Sequence, residues 1–468
     1  MTQDPRAFRE ASKQAVHDPR LKQALGRIKG HFQLARRFAS SEFPDFEALR
    51  DQGAAIREYS ITHLKPLLAE FEKSVTARGG KVHWARDAAE ARQVVIDILK
   101  RAGARRVTKG KSMVSEEIGL NDALQANGID PVETDLGEYI IQLRHEPPSH
   151  IIAPAFHLNK EDVAETFRAA HSNLDPARDL SERSALVGEA RAMLRAAFEG
   201  ADAGITGANF LTAREGAALI VTNEGNGDLT RLLPRTHIVV TGIEKVVPDL
   251  NAAAVLLRLL TRSATGQPIT SYVSVMSGPH SPELSDGPRE FHVVLVDNGR
   301  TRLLGTPAQA TLRCIRCAAC LNHCPIYGAV GGHAYGATYP GPIGAALNPN
   351  LLGLSQSYHH PNASTFCGRC AEVCPVKIPL PTIMRYWRAR EYAAGLPPLS
   401  NRAGLGLWAF AVKRPQLYRL VTKLASRILK RFSRGGRIHA LPLAGGWFAI
   451  RDLPEPEGKT FMEQLRSS

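Results

Sequence analysis

The stretch CIRCAACLNHCPIYG (314–328) places four cysteines and a proline in the order C-x2-C-x2-C-x3-C-P. This is the cysteine run of bacterial ferredoxins. Cysteines three apart in a tight loop direct three thiolates towards three corners of an iron–sulfur cube, and the fourth ligates the other cluster in two-cluster proteins. A shorter motif, CGRCAEVCPVKIP (367–379), ends in the same C-x3-C-P, and the two stretches hold all seven cysteines of the chain. This region is therefore predicted to fold around metal.

Aligning the two motifs on their prolines pairs each cysteine of the second motif with one of the first, and it leaves Ser364 opposite Cys314. Crossed ligation then predicts two [4Fe-4S] clusters. The first cluster has four predicted thiolate ligands, namely Cys314, Cys317, Cys320 and Cys374. The second cluster has three, namely Cys324, Cys367 and Cys370.

The fourth ligand of the second cluster stays open at this point. Ser364 is one candidate, although a serine oxygen is a harder and poorer ligand for this soft site than a thiolate. His359 and His360 lie a few residues upstream, but each is more typical of an ordinary loop residue. A water or a ligand from a partner would also complete the site, and the fourth iron could equally be missing.

Zinc is the competing metal, because two C-x2-C pairs can make a tetrahedral site of four thiolates. Zinc would leave three of the seven cysteines without a role, and the longer motif is far more specific than a lone C-x2-C. The long connector between Cys324 and Cys367, with a helix-compatible GPIGAAL, favours a helical ferredoxin-type module over a small β-hairpin one. Clusters of this kind usually pass single electrons.

Composition and charge narrow the function classes. The 468 residues are 44% hydrophobic and 22% charged, as in a globular protein of about three domains. The charged N-terminus has no apolar core of a secretory signal, and no stretch approaches the ~18 apolar residues of a membrane span. We therefore expect a cytoplasmic location, where thiols stay reduced, and an odd number of cysteines fits paired disulfides poorly.

The net charge of +14 raises the question of an acidic partner. No nucleic-acid-binding motif is present, so we expect no nucleic-acid partner. Between Val412 and Ala440 the chain has nine Lys or Arg and no acidic residue. The apolar positions at helical spacing are Leu417, Leu420, Val421, Leu424, Ile428 and Phe432. This pattern predicts a basic amphipathic helix, which either packs within its own domain or contacts a partner or an anionic membrane surface.

Four regions are predicted along the chain: a helical region at 1–65, an α/β domain at 66–300, a helical ferredoxin-type domain at 301–395 and a basic C-terminal region at 396–468. Apolar runs that alternate with amphipathic helical patterns indicate a largely parallel, buried sheet. The predicted strands are KVHWAR, RRVTKG, SHIIAPA, GAALIVTN, THIVVTGI and FHVVLVDN. Asp87 and Glu90 form a D-x-x-E pattern that resembles a capping box before the helix AAEARQVVIDILKRA.

Weaker candidate sites lie in the α/β domain. VTKGKSMVSEE lacks the first glycine of a phosphate-binding loop, but Lys109 and Lys111 follow a strand and are candidates to bind a carboxylate or phosphate. Glu224 and Asp228 lie in TNEGNGD after another strand. A solvated basic loop and an ordinary tight turn are the competing interpretations. The pattern assigns no catalytic residue.

Several segments resemble the iron–sulfur lactate utilisation protein B family. They are TKGKSMVSEEIGLNDAL, TGANFLTAREGAALIVTNEGNGDL and THIVVTGIEKVVP, followed by the two cysteine motifs and the tail RDLPEPEGKTF. The resemblance covers about 66–395, and two unrelated domains occur in the expected order. It implies two [4Fe-4S] clusters, with three cysteine ligands on the second, and an α/β domain like that of sugar-phosphate isomerases and CoA transferases. It also implies L-lactate oxidation to pyruvate with two companion proteins, one cysteine-rich and one with a related α/β domain.

The sequence thus predicts an iron–sulfur electron-transfer subunit of a cytoplasmic lactate-oxidising complex, in which electrons leave the substrate elsewhere and pass to an unidentified acceptor. One alternative is that the chain itself binds and oxidises lactate or another 2-hydroxy acid near Lys109, Lys111 and Glu224. A second alternative is a scaffold module that metal stabilises.

Overall fold

The structure is a computed structural model that describes residues 5–465 apart from 111, 176, 282, 284–285, 443–447 and 449–450. Lys111 therefore lies outside the described residues. The chain divides into two compact units, Met1–Arg390 and Glu391–Ser468. The limits of the four predicted regions stay predictions.

The larger unit contains a six-stranded sheet in which every pairing is parallel. Its strands are β1 (Lys81–Ala85), β2 (Arg106–Gly110), β3 (Asp130–Glu133), β4 (Ala203–Thr206), β7 (Thr236–Gly242) and β10 (Glu290–Val296). Their order across the sheet is β1-β10-β7-β4-β2-β3. The central strand β7 is buried along its whole length, as is typical of a parallel strand covered on both faces. The predicted parallel α/β domain is confirmed.

A second sheet of four strands was not foreseen as a separate layer. Its strands are β5 (Phe210–Thr212), β6 (Ala217–Thr222), β8 (Val246–Val247) and β9 (Tyr272–Met276), in the order β8-β5-β6-β9. The predicted strand GAALIVTN forms β6, but it pairs antiparallel with both of its neighbours. Periodicity marks a buried strand and does not identify its partner, so the sheet assignment needed the structure.

The predicted strand SHIIAPA (149–155) is wrong. The segment forms a bend in which the Ser149 N–H and hydroxyl both donate to the carbonyl of Pro154, at 3.0 and 2.7 Å. Its apolar residues are covered by packing rather than by a sheet, since Ile151 belongs to the same hydrophobic core as the cysteine motifs.

Helices surround both sheets. From the N-terminus to the end of the α/β domain they are α1 (Pro5–His17), α2 (Pro19–Ile28), α3 (Leu34–Ser41), α4 (Phe46–Thr62), α5 (Leu64–Ala77), α6 (Ala88–Arg101), α7 (Met113–Glu117), α8 (Leu120–Ala126), α9 (Leu136–Leu143), α10 (Lys160–Ala170), α11 (Arg183–Glu199), α12 (Asn226–Leu232) and α13 (Leu250–Ala264). A π-helical turn, Lys29–Gln33, separates α2 from α3, and a 3-10 turn spans Ile243–Lys245.

The capping box predicted before α6 is half present. Asp87 Oδ1 accepts the backbone N–H of Glu90 at 2.9 Å, which caps the helix. The Glu90 carboxylate instead accepts the N–H of Arg86 at 2.8 Å, one residue before the N-cap. The helix begins where it was predicted.

The cysteine region consists of short helices and turns. They are 3-10 turns at Arg300–Leu303, Gln309–Arg313 and His333–Tyr335, and helices α14 (Ala319–Asn322), α15 (Tyr327–Val330), α16 (Gly341–Leu351), α17 (Leu354–Ser357), α18 (His359–Asn362), α19 (Arg369–Glu372) and α20 (Leu380–Ala393). One hydrophobic core joins this region to the N-terminal helices and to α13. The cysteine motifs are thus an integral part of the larger unit.

The smaller unit contains α21 (Leu399–Val412), α22 (Pro415–Arg431), a strand pair Arg437–Ile438 with Leu453–Pro454, and α23 (Phe461–Leu465). The predicted basic amphipathic helix is α22. Its apolar residues Leu420, Leu424 and Ile428 are 64%, 57% and 47% exposed. No helix in the described part of the chain is both long and apolar enough to cross a membrane.

Candidate iron–sulfur centre

The two cysteine motifs adopt matching backbone conformations. Arg316 and Ala318 in the first motif have φ values of 60°. Fifty positions later, Phe366 and Gly368 have φ values of 54° and 83°. Left-handed residues turn the chain sharply, so each loop wraps around the space next to its cysteines. A non-glycine residue at positive φ is uncommon and marks a local constraint.

The first set of predicted ligands meets in one enclosed cavity. Cys314, Cys317, Cys320 and Cys374 all line it, although Cys374 comes from the other motif. Burial raises the pKa of Cys317, and the nearby thiols of Cys374 and Cys314 raise it further. Burial likewise raises the pKa of Cys374 to about 11, and Cys314 adds to that shift. Packed thiols of this kind become thiolates only when a cation compensates them.

The second set also comes together. Burial raises the pKa of Cys370 to about 12, and Cys324 and Cys367 add to the shift. Burial also raises the pKa of Cys320, and the thiols that act on it include Cys370 of the second set. The helix α14, which carries Cys320, is also in contact with α19, which carries Cys370, so the two sets are neighbours.

Ser364 occupies the place of the absent eighth cysteine. The N–H of Arg316 donates to Cys314 Sγ at 3.4 Å, and the N–H of Phe366 donates to Ser364 Oγ at 3.2 Å. The same two-residue turn therefore surrounds the sulfur in one motif and the hydroxyl in the other. His360 is different, because its Nδ1 contacts the Asn348 amide nitrogen at 2.9 Å and its Nε2 contacts a backbone carbonyl at 2.8 Å. Both ring nitrogens of His360 are used by the protein itself.

In both cysteine sets, a backbone N–H group donates a hydrogen bond to a cysteine sulfur. Backbone N–H groups donate to Cys324 Sγ at 3.5 Å and to Cys374 Sγ at 3.4 Å. Two buried polar atoms beside the cysteines, Arg36 Nε and Tyr335 Oη, also lack a hydrogen-bond partner among the described residues. Buried donors without partners are costly, and sulfur atoms of bound clusters would accept from them.

The sulfur spacing fits clusters better than zinc. Tetrahedral zinc with Zn–S bonds of about 2.3 Å would hold its sulfurs about 3.8 Å apart. Within the described ranges, the set of three ligand side chains whose donor atoms all lie within 4.8 Å is Glu146, His157 and His333. No three cysteine sulfurs of the described chain come that close, which agrees with a larger inorganic core between them.

Arginines from the N-terminal helices clamp the cysteine loops. Arg50 donates to the carbonyls of Glu372 and Cys374, both at 2.7 Å. Arg36 donates to the carbonyl of Val373 at 2.9 Å. Arg57 is 1% exposed, and it donates to the carbonyl of Leu312 at 2.8 Å and to that of Arg313 at 3.1 Å. Their charge also opposes the negative charge that thiolates bring.

Sequence analysis did not identify these three arginines, Arg36, Arg50 and Arg57. They lie more than 250 residues before the loops that they contact. The sequence provided only a weak indication of their role. Each is a basic residue at a helix position that the tertiary structure buries, within an otherwise amphipathic helix.

A buried ion network fixes the sheet to the first cysteine loop. Arg300 Nε donates to Glu244 Oε2 at 2.5 Å, and its Nη2 pairs with Glu117 Oε2 at 2.8 Å. The Tyr339 hydroxyl donates to Glu117 at 2.7 Å. Burial alone would raise the pKa of Glu244, but the attraction of Arg300 and Arg316 outweighs it and lowers the pKa to about 2. The network therefore holds an ionised carboxylate beside Arg316.

The weaker candidates of the α/β domain do not form one site. Lys109 Nζ pairs with Glu116 and Glu133, each at 2.6 Å, and is almost fully buried. Asp228 accepts from Arg231 at 2.9 Å and from a serine at 2.6 Å. Lys109 and Asp228 are thus engaged in structural ion pairs, whereas Glu224 lines a groove near the first cysteine set.

This groove has a volume of about 510 Å³ and lies at the carboxyl ends of β2 and β3. Its wall includes Met113 and Asp135, which follow those strands, and residues at the end of α13. Ile151 and Arg316 line both this groove and the cavity of the first cysteine set. The two spaces therefore share a wall.

Comparison with protein families gives three matches in chain order. The LUD domain matches residues 68–296, the 4Fe-4S dicluster domain matches residues 310–378, and the C-terminal domain of lactate utilisation protein B matches residues 395–468. The dicluster match shows that the cysteine region is of an iron–sulfur-binding type.

Curated relatives match along nearly the whole chain. Lactate utilization protein B of Bacillus licheniformis is 41% identical and covers 97% of this chain and 95% of its own length. The protein of the same name from Bacillus subtilis is 40% identical over 98% of this chain and 95% of its own length. A solved structure of a DUF162 family protein from Deinococcus radiodurans covers 50% of this chain and 98% of its own, at 14% identity and a TM-score of 0.28. That score is too low to carry an argument.

Proposed function

Because this chain belongs to the lactate utilisation protein B family, we propose that it is the iron–sulfur electron-transfer subunit of a complex that oxidises L-lactate to pyruvate. Family membership and the dicluster domain together indicate an iron–sulfur role in lactate utilisation. The observation that carries the finer proposal is the adjacency of the two cysteine sets, since α14, which carries Cys320, is in contact with α19, which carries Cys370. When bound, [4Fe-4S] clusters supply one-electron redox chemistry.

We assign the first cluster to Cys314, Cys317, Cys320 and Cys374, and the second to Cys324, Cys367 and Cys370. The shared cavity of the first set supports its crossed membership. The matched turn at Ser364 supports that hydroxyl as the group nearest to the fourth iron of the second cluster.

Anaerobic purification tests the cofactor proposal. Iron and sulfide counts should correspond to two clusters, and a redox titration followed by electron paramagnetic resonance should resolve two signals. Signals that stay silent over the accessible potential range would favour the metal-stabilised scaffold alternative. Bound zinc in place of iron would overturn the proposal entirely.

Reconstitution tests the subunit proposal. The proposed partners are a cysteine-rich companion protein and a second α/β companion, together with an electron acceptor that the chain does not identify. Cluster reduction by L-lactate should require the companions. Rapid reduction in the purified chain alone would instead support the alternative in which this chain oxidises the 2-hydroxy acid itself. We also propose a cytoplasmic location, which cell fractionation tests.

The helix α22 is a candidate contact with an anionic membrane surface. Its apolar side chains are exposed and its flanks are basic, which is the pattern of helices that lie in a membrane interface. Flotation with vesicles of phosphatidylglycerol and phosphatidylcholine should recover the protein, and binding should weaken as salt rises. Replacing Leu420 and Leu424 by Gln should abolish recovery. Equal recovery with pure phosphatidylcholine would exclude the electrostatic part of the contact.

A further inference from the structure

The side chain of Arg316 has an unusual environment. Its side chain is only 10% exposed, yet its Nη1 has no hydrogen-bond partner among the described residues. It stacks on the Tyr339 ring, 4.2 Å from the centroid, and its Nη2 lies 3.5 Å from Glu244 Oε1. A guanidinium has five N–H donors and stays charged, so this one retains donors for a ligand.

Arg316 lies at the wall between two spaces. On one side is the cavity of the first cysteine set, and on the other is the groove at the carboxyl ends of β2 and β3. Ligands of open parallel sheets bind outside the carboxyl ends of the strands. A molecule in the groove would therefore lie beside Arg316 and next to the first cysteine set.

The remaining groove wall suits a small hydroxylated acid. Ile152, Val221 and Leu260 offer apolar surface for a short alkyl group, whereas the side-chain amide of Asn209 offers a polar group for a hydroxyl. Asp135, Glu138 and Glu224 line the groove as well. These carboxylates repel any anion, and they repel a phosphate dianion more strongly than a monocarboxylate, so a monoanion held by Arg316 is the better fit of the two.

From this arrangement we propose that the groove binds a small 2-hydroxy or 2-oxo monocarboxylate, and that Arg316 anchors its carboxylate. An arginine matches a carboxylate through two parallel N–H donors, which is the strong geometry for this pair. The identity of the acid as lactate or pyruvate rests on the proposed function, but the carboxylate site itself rests on the geometry. The substrate would then contact this chain beside the first cysteine set, and the anchor is Arg316 rather than Lys109.

Calorimetric titration of L-lactate and of pyruvate into the anaerobic, cluster-loaded full chain tests the site. We expect saturable binding that Arg316→Gln weakens by at least about tenfold, because one charge-assisted pair is lost. Arg316→Lys should restore part of the affinity, since it keeps the charge without the planar fork. The matched control is Arg101→Gln at the exposed end of α6, which should bind like the unaltered chain.

A second variant covers the case in which Arg316→Gln disturbs cluster assembly. Ala153 is half-buried and lines the groove but not the cysteine cavity. Ala153→Leu narrows the groove, so it should weaken acid binding while the iron count and the cluster spectra stay unchanged.

Two results would overturn the site. One is the absence of binding of either acid to the loaded chain, and the other is unchanged affinity in Ala153→Leu together with unchanged affinity in a fully loaded Arg316→Gln. If binding is absent while both clusters titrate normally, the carboxylate site is wrong and the electron-transfer proposal stands. If the acids bind but the clusters are redox-silent, the electron-transfer proposal fails instead.

Discussion

The two cysteine sets are drawn from two similar sequence motifs, but they differ in their exposure to solvent. In the first set Cys317 and Cys374 are 7% and 6% exposed, whereas Cys367 of the second set is exposed. The difference comes from the elements that cover each set. The N-terminal helices bring Arg36 and Arg57 against the first set, and the α/β domain adds a further wall. Two motifs with similar cysteine spacing therefore lie in unequal environments, so the clusters that they are proposed to bind should differ in stability and in reduction potential.

The largest expected effect tests the crossed arrangement. Cys374→Ser should abolish the buried first cluster, although Cys374 belongs to the second motif, because its sulfur lines the cavity of the first set. Iron content should fall by about half, with one resonance signal lost. The matched variant Cys367→Ser should remove only the second cluster's signal. If both variants remove the same signal, the crossed ligand sets are wrong.

Chelation compares the two environments directly. Exposure of the loaded chain to EDTA and air should release iron from the second cluster severalfold faster, because that cluster has three thiolates and Cys367 is exposed. Resonance spectra recorded over time distinguish the two clusters. Faster loss of the signal that Cys374→Ser removes would contradict the comparison.

Ser364→Cys should make the two environments more alike. The hydroxyl already accepts an N–H in the turn where Cys314 accepts one, so a thiolate there can supply a fourth soft ligand. We expect slower iron release from the second cluster and a changed resonance line shape, with the first cluster unaffected. An unchanged line shape would show that another group binds the fourth iron.

Arg36→Met tests the electrostatic part of the difference and has the smallest expected effect. Arg36 is buried and interacts with Cys317 and Cys374, so its charge stabilises the reduced, more negative cluster. Removing it should lower the first cluster's potential by on the order of tens of millivolts, and the second should move less. Arg101→Gln serves again as the exposed control. A rise in potential would contradict this account.

Patterns that are local in sequence predicted much of the fold. Alternating strand and helix signals identified the parallel sheet, and Asp87 marked the start of α6 within one residue. The failures have one cause. SHIIAPA looked like a strand because it is apolar. Its burial comes instead from the cysteine region, which packs against it. The periodicity of a segment does not indicate which element will pack against it. The second sheet was missed for the same reason.

For the candidate site, too, the structure agrees with one part of the sequence prediction and not with another. Spacing alone predicted which cysteines meet, and the structure brings those same sets together, while their role as ligands remains a proposal. Lys109 shows the limit of this approach, since a lysine after a strand suggested an anion site but became the centre of a buried ion pair.

By itself the sequence determined the iron–sulfur type of the cysteine region and the α/β class, and it predicted the crossed order of the cysteines, because these depend on short spacings and on residue type. Only the tertiary structure decided that Arg36, Arg50 and Arg57 hold the cysteine loops, that one set is covered while Cys367 meets solvent, and that Arg316 lies between a groove and the first set. These features join residues that are distant along the chain, and no local pattern encodes which distant surfaces will pack together.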